Sequence, residues 1–223
     1  DVTTFHTVPP GTTVTAEIIS KEKGVIAGIE EALTLLESFG LQTKALIEDG
    51  SKVGENMKIV QIEGDGTTLL SIERTLLNLL SRMCGIATST NRLVAKIHRA
   101  GYKTKVACTR KTAPSLAYFD KKAVTIGGGD AHRWGLDDMV LIKDNHIAIA
   151  GSVKEAVKRV RKKVSFSKKI EVEVADVNGA WEAAQAGVDI VMLDNFTPKR
   201  AKQAMSLLQK KGFRDKVVVE ASG

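Results

Sequence analysis

Aromatic side chains are scarce in this sequence, 4% of 223 residues, and cysteine and proline are scarcer still, with two and four copies. So few aromatics leave little for stacking on bases, and no nucleic-acid motif is present. A net charge of +7 permits nucleic acid, but a small anionic substrate ranks well above it. Much of that charge lies on Lys154, Lys158, Arg159, Arg161, Lys162 and Lys163, which read as a solvated helix face. Cys84 and Cys108 lack metal-ligand spacing and sit in apolar or helical contexts; they read as buried free thiols in a reducing cytosol. No apolar run is long enough to cross a bilayer, and no signal peptide is visible. The first residue is Asp1, not Met, so the chain reads as trimmed or processed.

What is present is a globular composition, 43% hydrophobic and 26% charged, with enough chain for one large domain or two small ones. The stretch that organises it runs from Lys105 to His146. Three short apolar runs, 105–108, 123–126 and 139–142, are each followed by charged or glycine residues. Such runs, bounded by turn residues, predict buried parallel strands. Ligands bind at the carboxyl ends of such strands. Arg110, Lys111, His132, Arg133 and Lys143 are thereby expected around one mouth, and five potentially cationic side chains predict a polyanionic ligand.

Upstream, residues 1–13 read as an extended arm, Val14–Ile19 and Gly24–Gly28 as strands, and Ile29–Phe39 as an amphipathic helix ending at Gly40. Thr43–Ile47 and Met57–Ile62 are two more strands, which together suggest a small α/β sandwich with antiparallel strands. Thr67–Arg99 is strongly helical, with a break expected at Gly85. Its apolar face is Leu69, Ile72, Leu76, Leu80 and Met83, and a polar stripe includes Arg74. On spacing alone Arg74 reads as a surface residue paired with Glu73; the other reading has it reaching into a site on this or another subunit.

Downstream, a strand-then-helix rhythm adds runs at 170–174, 188–193 and 216–220, with helices over Val153–Lys163, Val177–Gln185 and Lys199–Lys210. Six successive parallel strands suggest most of a barrel, and a closed eight-stranded barrel needs more chain. Glu171 and Glu173 share a face by alternation; because carboxylates under the helix layer are costly, Glu173 is placed towards the mouth. Asp194 ends the fifth strand, and Ser222-Gly223 ends the sixth as a phosphate cradle. Carboxylates there could hold ribose hydroxyls or hydrated Mg²⁺.

Blander readings stand beside these. Gly127–Gly129 does not fit the dinucleotide fingerprint and reads as a tight turn. Lys143-Asp144 can be an ordinary ion pair, and His146 a structural histidine. Asn195-Phe196-Thr197 fits a glycosylation sequon without a secretory signal. A non-catalytic anion-binding barrel would use the same basic mouth.

Glu73-Arg74-Thr75-Leu76-Leu77-Asn78, Ser81–Thr88, Thr109-Arg110-Lys111-Thr112, Gly127-Gly128-Gly129 with His132-Arg133, Leu141–His146, Glu171–Val174, Leu193–Phe196 and Glu220-Ala221-Ser222-Gly223 resemble, in order, quinolinate phosphoribosyltransferase. The one departure is Ala131, where that family often has asparagine; it reads as variation in a supporting position. Lys143–His146 argues against a molybdenum-associated relative, and the dense cations favour a dicarboxylate over the substrate of nicotinate phosphoribosyltransferase.

The resemblance implies an α/β fold: an N-terminal α/β sandwich with a dimer-facing helix, 1–84, then an open, incomplete parallel α/β barrel, 85–223, truncated at both chain ends. It implies a cytoplasmic pentosyltransferase of NAD biosynthesis, converting quinolinate and phosphoribosyl pyrophosphate to nicotinate mononucleotide, pyrophosphate and CO₂. It further implies a homodimer or hexamer in which Arg74 is shared across subunits. Arg74, Arg110, His132, Arg133 and Lys143 would hold quinolinate, Lys111 would lie near pyrophosphate, and Thr109 belongs to the same substrate-binding set. Glu173 and Asp194 would bind ribose hydroxyls and Mg²⁺, directly or through water, and Ser222 and Gly223 the 5′-phosphate. Lys143, Glu173 and Asp194 are the expected catalytic residues. No nucleic acid and no membrane are expected as partners.

Overall fold

A computed structural model describes all residues, 1–223. The chain forms two compact units, Asp1–Trp134 and Gly135–Gly223.

The first unit opens with helix α1 (Val2–Thr7) where an extended arm was expected. The Asp1 carboxylate accepts from Thr3 N at 3.0 Å and from Thr4 Oγ1 at 2.6 Å. This cap holds a single short turn of helix that leaves no periodic pattern in the sequence. Then come β1 (Thr13–Ile19), β2 (Gly24–Val25), α2 (Ile29–Ser38), β3 (Gln42–Ala45), β4 (Lys52–Val53) and β5 (Lys58–Asp65). β5 lies between β1 and β3, antiparallel to both, and β2 pairs with β4. Ile59, Val60 and Ile62 of this sheet pack with Ala32 and Leu36 of α2, as expected of an α/β sandwich.

Helix α3 (Gly66–Arg99) follows, capped by Asp65 Oδ1, which accepts from Thr68 N at 2.8 Å. It runs unbroken through Gly85, against expectation. Its buried positions Leu69, Ile72, Leu76, Leu80, Met83, Ala87 and Thr90 keep one helical phase across that glycine. Burial on both sides outweighs a glycine penalty of about 1 kcal/mol.

The run 123–126 is not a strand. It is the end of helix α4 (Ala117–Ile126), whose buried positions are Asp120, Lys121, Ala123 and Val124. Two charged residues on the buried side hide the helical period from a hydropathy reading. The run 105–108 contributes only one parallel bridge, Ala107 to Asp130. Of the glycines between α4 and Asp130, Gly128 has φ of 89°, as a tight turn asks, and the other two are there for packing. A Cβ on Gly127 would lie 2.5 Å from Ala87 O, and one on Gly129 would lie 2.7 Å from Val124 Cγ1.

The second unit alternates β6 (Val140–Ile142), α5 (Asp144–Ala150), α6 (Val153–Arg161), β7 (Ile170–Val174), α7 (Val177–Gln185), β8 (Ile190–Asp194), α8 (Pro198–Lys210) and β9 (Val218–Ser222). All four strands are parallel, in the order β6-β7-β8-β9. Four of the six expected strands are thus in this sheet, which is open rather than closed. Val172, Val174, Val191 and Leu193 form the core with Ala180, Ala183, Ala204 and Leu208 of the helices. The α/β class and the incomplete barrel are as expected.

Candidate active site

In the first unit, the bridge between Ala107 and Asp130 sets two chain segments side by side and parallel. Cys108 N donates to Asp130 O at 3.0 Å, and Asp130 N donates to Val106 O at 2.8 Å. Thr109-Arg110-Lys111 and Ala131-His132-Arg133 therefore leave the bridge in the same direction. The bridge sets the backbones that lead into these two segments side by side, although one expected strand proves to be a helix. Thr109 Oγ1 accepts from Lys111 N at 3.0 Å, which turns the chain after the bridge. His132 has φ of 51°, in the left-handed region that few non-glycine residues occupy. Its N–H donates to Asp130 Oδ1 at 2.9 Å. That bond and the nearby Lys105 ammonium hold the Asp130 carboxyl below its ordinary pKa.

Two neighbours on α4 stand behind these loops. Asp120 accepts from Arg82 Nε at 2.6 Å, from Arg82 Nη2 at 2.8 Å and from Ala113 N at 3.1 Å. It thereby ties the loop carrying Arg110 to α3, and the guanidinium keeps its carboxyl below the usual range. Lys121 is 1% exposed. Its ammonium donates to Ala131 O at 2.6 Å and lies 3.6 Å from Cys108 Sγ. Sequence reading missed both; the signal available was helical spacing of Phe119, Ala123 and Ile126.

In the second unit, register puts Leu141, Glu171 and Ile190 on one face of the sheet, with Glu173, Met192 and Glu220 in the next row and Asp194 and Ser222 beyond. This face is opposite the valine-rich core, so the charged and hydroxyl groups occur at successive strand ends. Lys143, directly after β6, donates to Glu173 Oε2 at 2.6 Å. Glu173, and not the adjacent Asp144, is thus a partner of Lys143. His146 is exposed and accepts from Lys143 N through Nδ1 at 2.9 Å. It is a helix cap, in line with the structural reading, and it fixes where the Lys143 side chain starts.

At the far end of β8, Asn195 Nδ2 donates to Asp194 Oδ2 at 2.8 Å, and Asn195 N donates to Ser222 O at 2.7 Å. Asn195 is left-handed, with φ of 52°. A Cβ on Gly223 would lie 3.2 Å from Asn195 Oδ1, so glycine allows the close approach of these chain segments. Arg200 spans neighbouring loops, donating to Ala175 O at 2.7 Å while its guanidinium stacks 4.7 Å from the Phe196 ring centroid. Arg200 was also missed, and Asn195 was read only within a sequon and a family stretch. The side chains of Glu173 and Asp194 offer the hard oxygens that Mg²⁺ prefers, too few for a closed cage but suited to an ion that keeps waters and phosphate oxygens.

Arg74 projects from α3 as an exposed side chain. Its side chain is 76% exposed and 4.0 Å from Glu73.

Sequence profiles described as the N-terminal and C-terminal domains of quinolinate phosphoribosyl transferase match residues 1–84 and 86–223. The chain is 45% identical over 223 residues to the probable nicotinate-nucleotide pyrophosphorylase (carboxylating) of Methanothermobacter thermautotrophicus, covering 100% of this chain and 80% of that protein. The crystal structure of NadC from Streptococcus pyogenes is similar at TM-score 0.90 and 36% identity, covering 100% of this chain and 77% of that one. Human nicotinic acid phosphoribosyltransferase, at TM-score 0.58 and 12% identity over 100% of this chain and 70% of that one, shares the fold alone. No helix is long and apolar enough to cross a membrane.

Proposed function

Because the chain belongs to the quinolinate phosphoribosyl transferase family, we propose that it transfers the phosphoribosyl group of phosphoribosyl pyrophosphate to quinolinate. The products are nicotinate mononucleotide, pyrophosphate and CO₂, a step of NAD biosynthesis. The name carried by its relatives describes the reverse, carboxylating direction. The observation that carries this reading is the sheet face of the second unit, where Lys143, Glu173, Asp194 and Ser222 occupy successive parallel strand ends. A cation, two carboxylates and a hydroxyl beside glycine suit a carboxylate, ribose hydroxyls and a 5′-phosphate respectively.

The residues then have these roles. Arg110, His132, Arg133 and Lys143, with Arg74 of the partner subunit, hold the two carboxylates of quinolinate. Thr109 shapes the turn that presents Arg110 and Lys111, and Lys111 faces the pyrophosphate. Glu173 and Asp194 hold the ribose hydroxyls, and Ser222 and Gly223 the 5′-phosphate. Mg²⁺, held at Glu173 and Asp194 directly or through water, would neutralise charge on the leaving pyrophosphate.

As the C1–pyrophosphate bond breaks, positive charge grows on the ribose ring and the pyridine nitrogen forms the new bond to C1. This needs no protein nucleophile; positioning and fixed charge supply the rate. Quaternising the nitrogen makes the adjacent carboxylate a leaving group. CO₂ departs, its bonding pair stays on the ring as an ylide, and that carbon takes up a proton. The cations orient the carboxylate and exclude water.

The chain is also proposed to act in the cytoplasm as a homodimer or hexamer, with the functional division near residues 84–85. The test is to incubate it with phosphoribosyl pyrophosphate, Mg²⁺ and either quinolinate or nicotinate, and to follow nicotinate mononucleotide by chromatography. Product from quinolinate alone is expected; product from nicotinate alone overturns the substrate assignment.

A further inference from the structure

We infer that Lys121 and Asp130 are positioning residues that pin both ends of one peptide, Ala131–His132, and so set the direction of the His132 and Arg133 side chains. The inference rests on the functional reading above for its consequence, but not for its geometry.

The peptide carbonyl, Ala131 O, accepts from the Lys121 ammonium at 2.6 Å and from Cys108 Sγ at 3.3 Å. Its N–H, on His132, donates to Asp130 Oδ1 at 2.9 Å. A peptide is a rigid plane, so fixing its oxygen on one side and its nitrogen on the other fixes its rotation. That rotation is what His132 needs in order to hold φ at 51°. A β carbon is disfavoured in this conformation, and it persists where surrounding bonds over-determine it.

Lys121 is 1% exposed, and burying a charge is costly unless it is paired or well hydrogen-bonded. For packing alone, an apolar residue would serve α4 better. A lysine kept here contributes what an apolar side chain cannot, a charged donor aimed at one carbonyl. The contact is to the backbone, so it asks nothing of the side chain at position 131. It also joins the two loops, because Cys108 immediately precedes Thr109-Arg110. A small tilt of the plane would swing both side chains away from the substrate carboxylates, and misplacement of about 1 Å can cost on the order of a hundredfold in rate.

The experiment compares wild type, Lys121→Met, Asp130→Ala and Asp130→Asn in two measurements. The first is hydrogen exchange at the His132 amide in free protein. Faster exchange is expected in Lys121→Met and Asp130→Ala, and near-normal exchange in Asp130→Asn, which keeps its acceptor. Unchanged exchange in the first two overturns the pinning. The second is steady-state kinetics with quinolinate and phosphoribosyl pyrophosphate. The KM for quinolinate is expected to rise at least about tenfold in Lys121→Met and Asp130→Ala, with the other KM within about twofold. A double variant combining Lys121→Met with Asp130→Ala should fall short of the product of the single effects, since both act on one peptide. Equal shifts in both KM values, or none, overturn the positioning role. A wild type that ignores quinolinate would refute the functional reading, while the exchange measurement still decides the pinning.

Discussion

Replacing Lys143 by alanine separates chemistry from folding. The Lys143 ammonium lies 2.6 Å from Glu173, with side chains 44% and 18% exposed. So exposed an ammonium is partly screened by water, and losing the pair should cost only about 1 kcal/mol of stability. In a chain of this size that lowers Tm by about 2–4 °C. The cost to turnover should be much larger. Lys143 is proposed to orient a carboxylate as it leaves, and removing one such preorganised donor typically lowers kcat by about 10²–10³, or roughly 3–4 kcal/mol. The assay pairs steady-state kinetics on quinolinate with a thermal melt of the same preparation. Turnover within threefold of wild type would refute the assignment. A Tm drop beyond about 10 °C would show that Lys143 serves the fold instead.

Acid sensitivity should trace to Asp120. Its carboxyl is held below the ordinary value chiefly by Arg82, so its contribution is complete above the unfolded pKa of about 3.9 and lost as pH falls through the lower folded value. Asp120→Asn is expected to be less stable at pH 7 and to show a shallower acid limb in denaturation; an unchanged limb would contradict this. Arg74, 76% exposed, is tested by mixing inactive Arg74→Ala and Lys143→Ala subunits. Random re-pairing makes half the dimers mixed, each with one intact site, so about a quarter of wild-type activity should return. Activity no greater than the sum of the parents would remove Arg74 from the shared site.

Periodicity made most of the second unit legible. The glutamate–valine alternation over 170–174 matches β7 residue for residue, and Val177–Gln185 is α7 as expected. The face that holds Glu173 and Asp194 follows from that alternation. What escaped is instructive. Ala123-Val124-Thr125-Ile126 looked like a strand because Asp120 and Lys121, the other members of its buried face, are charged. Lys121, inferred to position His132-Arg133, is therefore one of the residues that hid the helix carrying it. Gly85 looked like a break because glycine disfavours helix, yet the flanking Met83 and Ala87 are fully buried, and tertiary packing overrides local preference. The α1 cap at Asp1 depends on three local hydrogen bonds that no hydropathy pattern records. Strand-end spacing and family likeness both pointed to His132-Arg133, without the left-handed backbone at His132.

The most direct measurement follows the carboxylate itself. Quinolinate carrying ¹³C in the carboxyl next to the ring nitrogen is incubated with the protein, phosphoribosyl pyrophosphate and Mg²⁺, and label is counted in CO₂ and in nucleotide. The expected result is one labelled CO₂ released for each nicotinate mononucleotide formed, and none without phosphoribosyl pyrophosphate. Label retained in the nucleotide, or release that does not depend on phosphoribosyl pyrophosphate, would contradict a transfer that precedes and drives the decarboxylation.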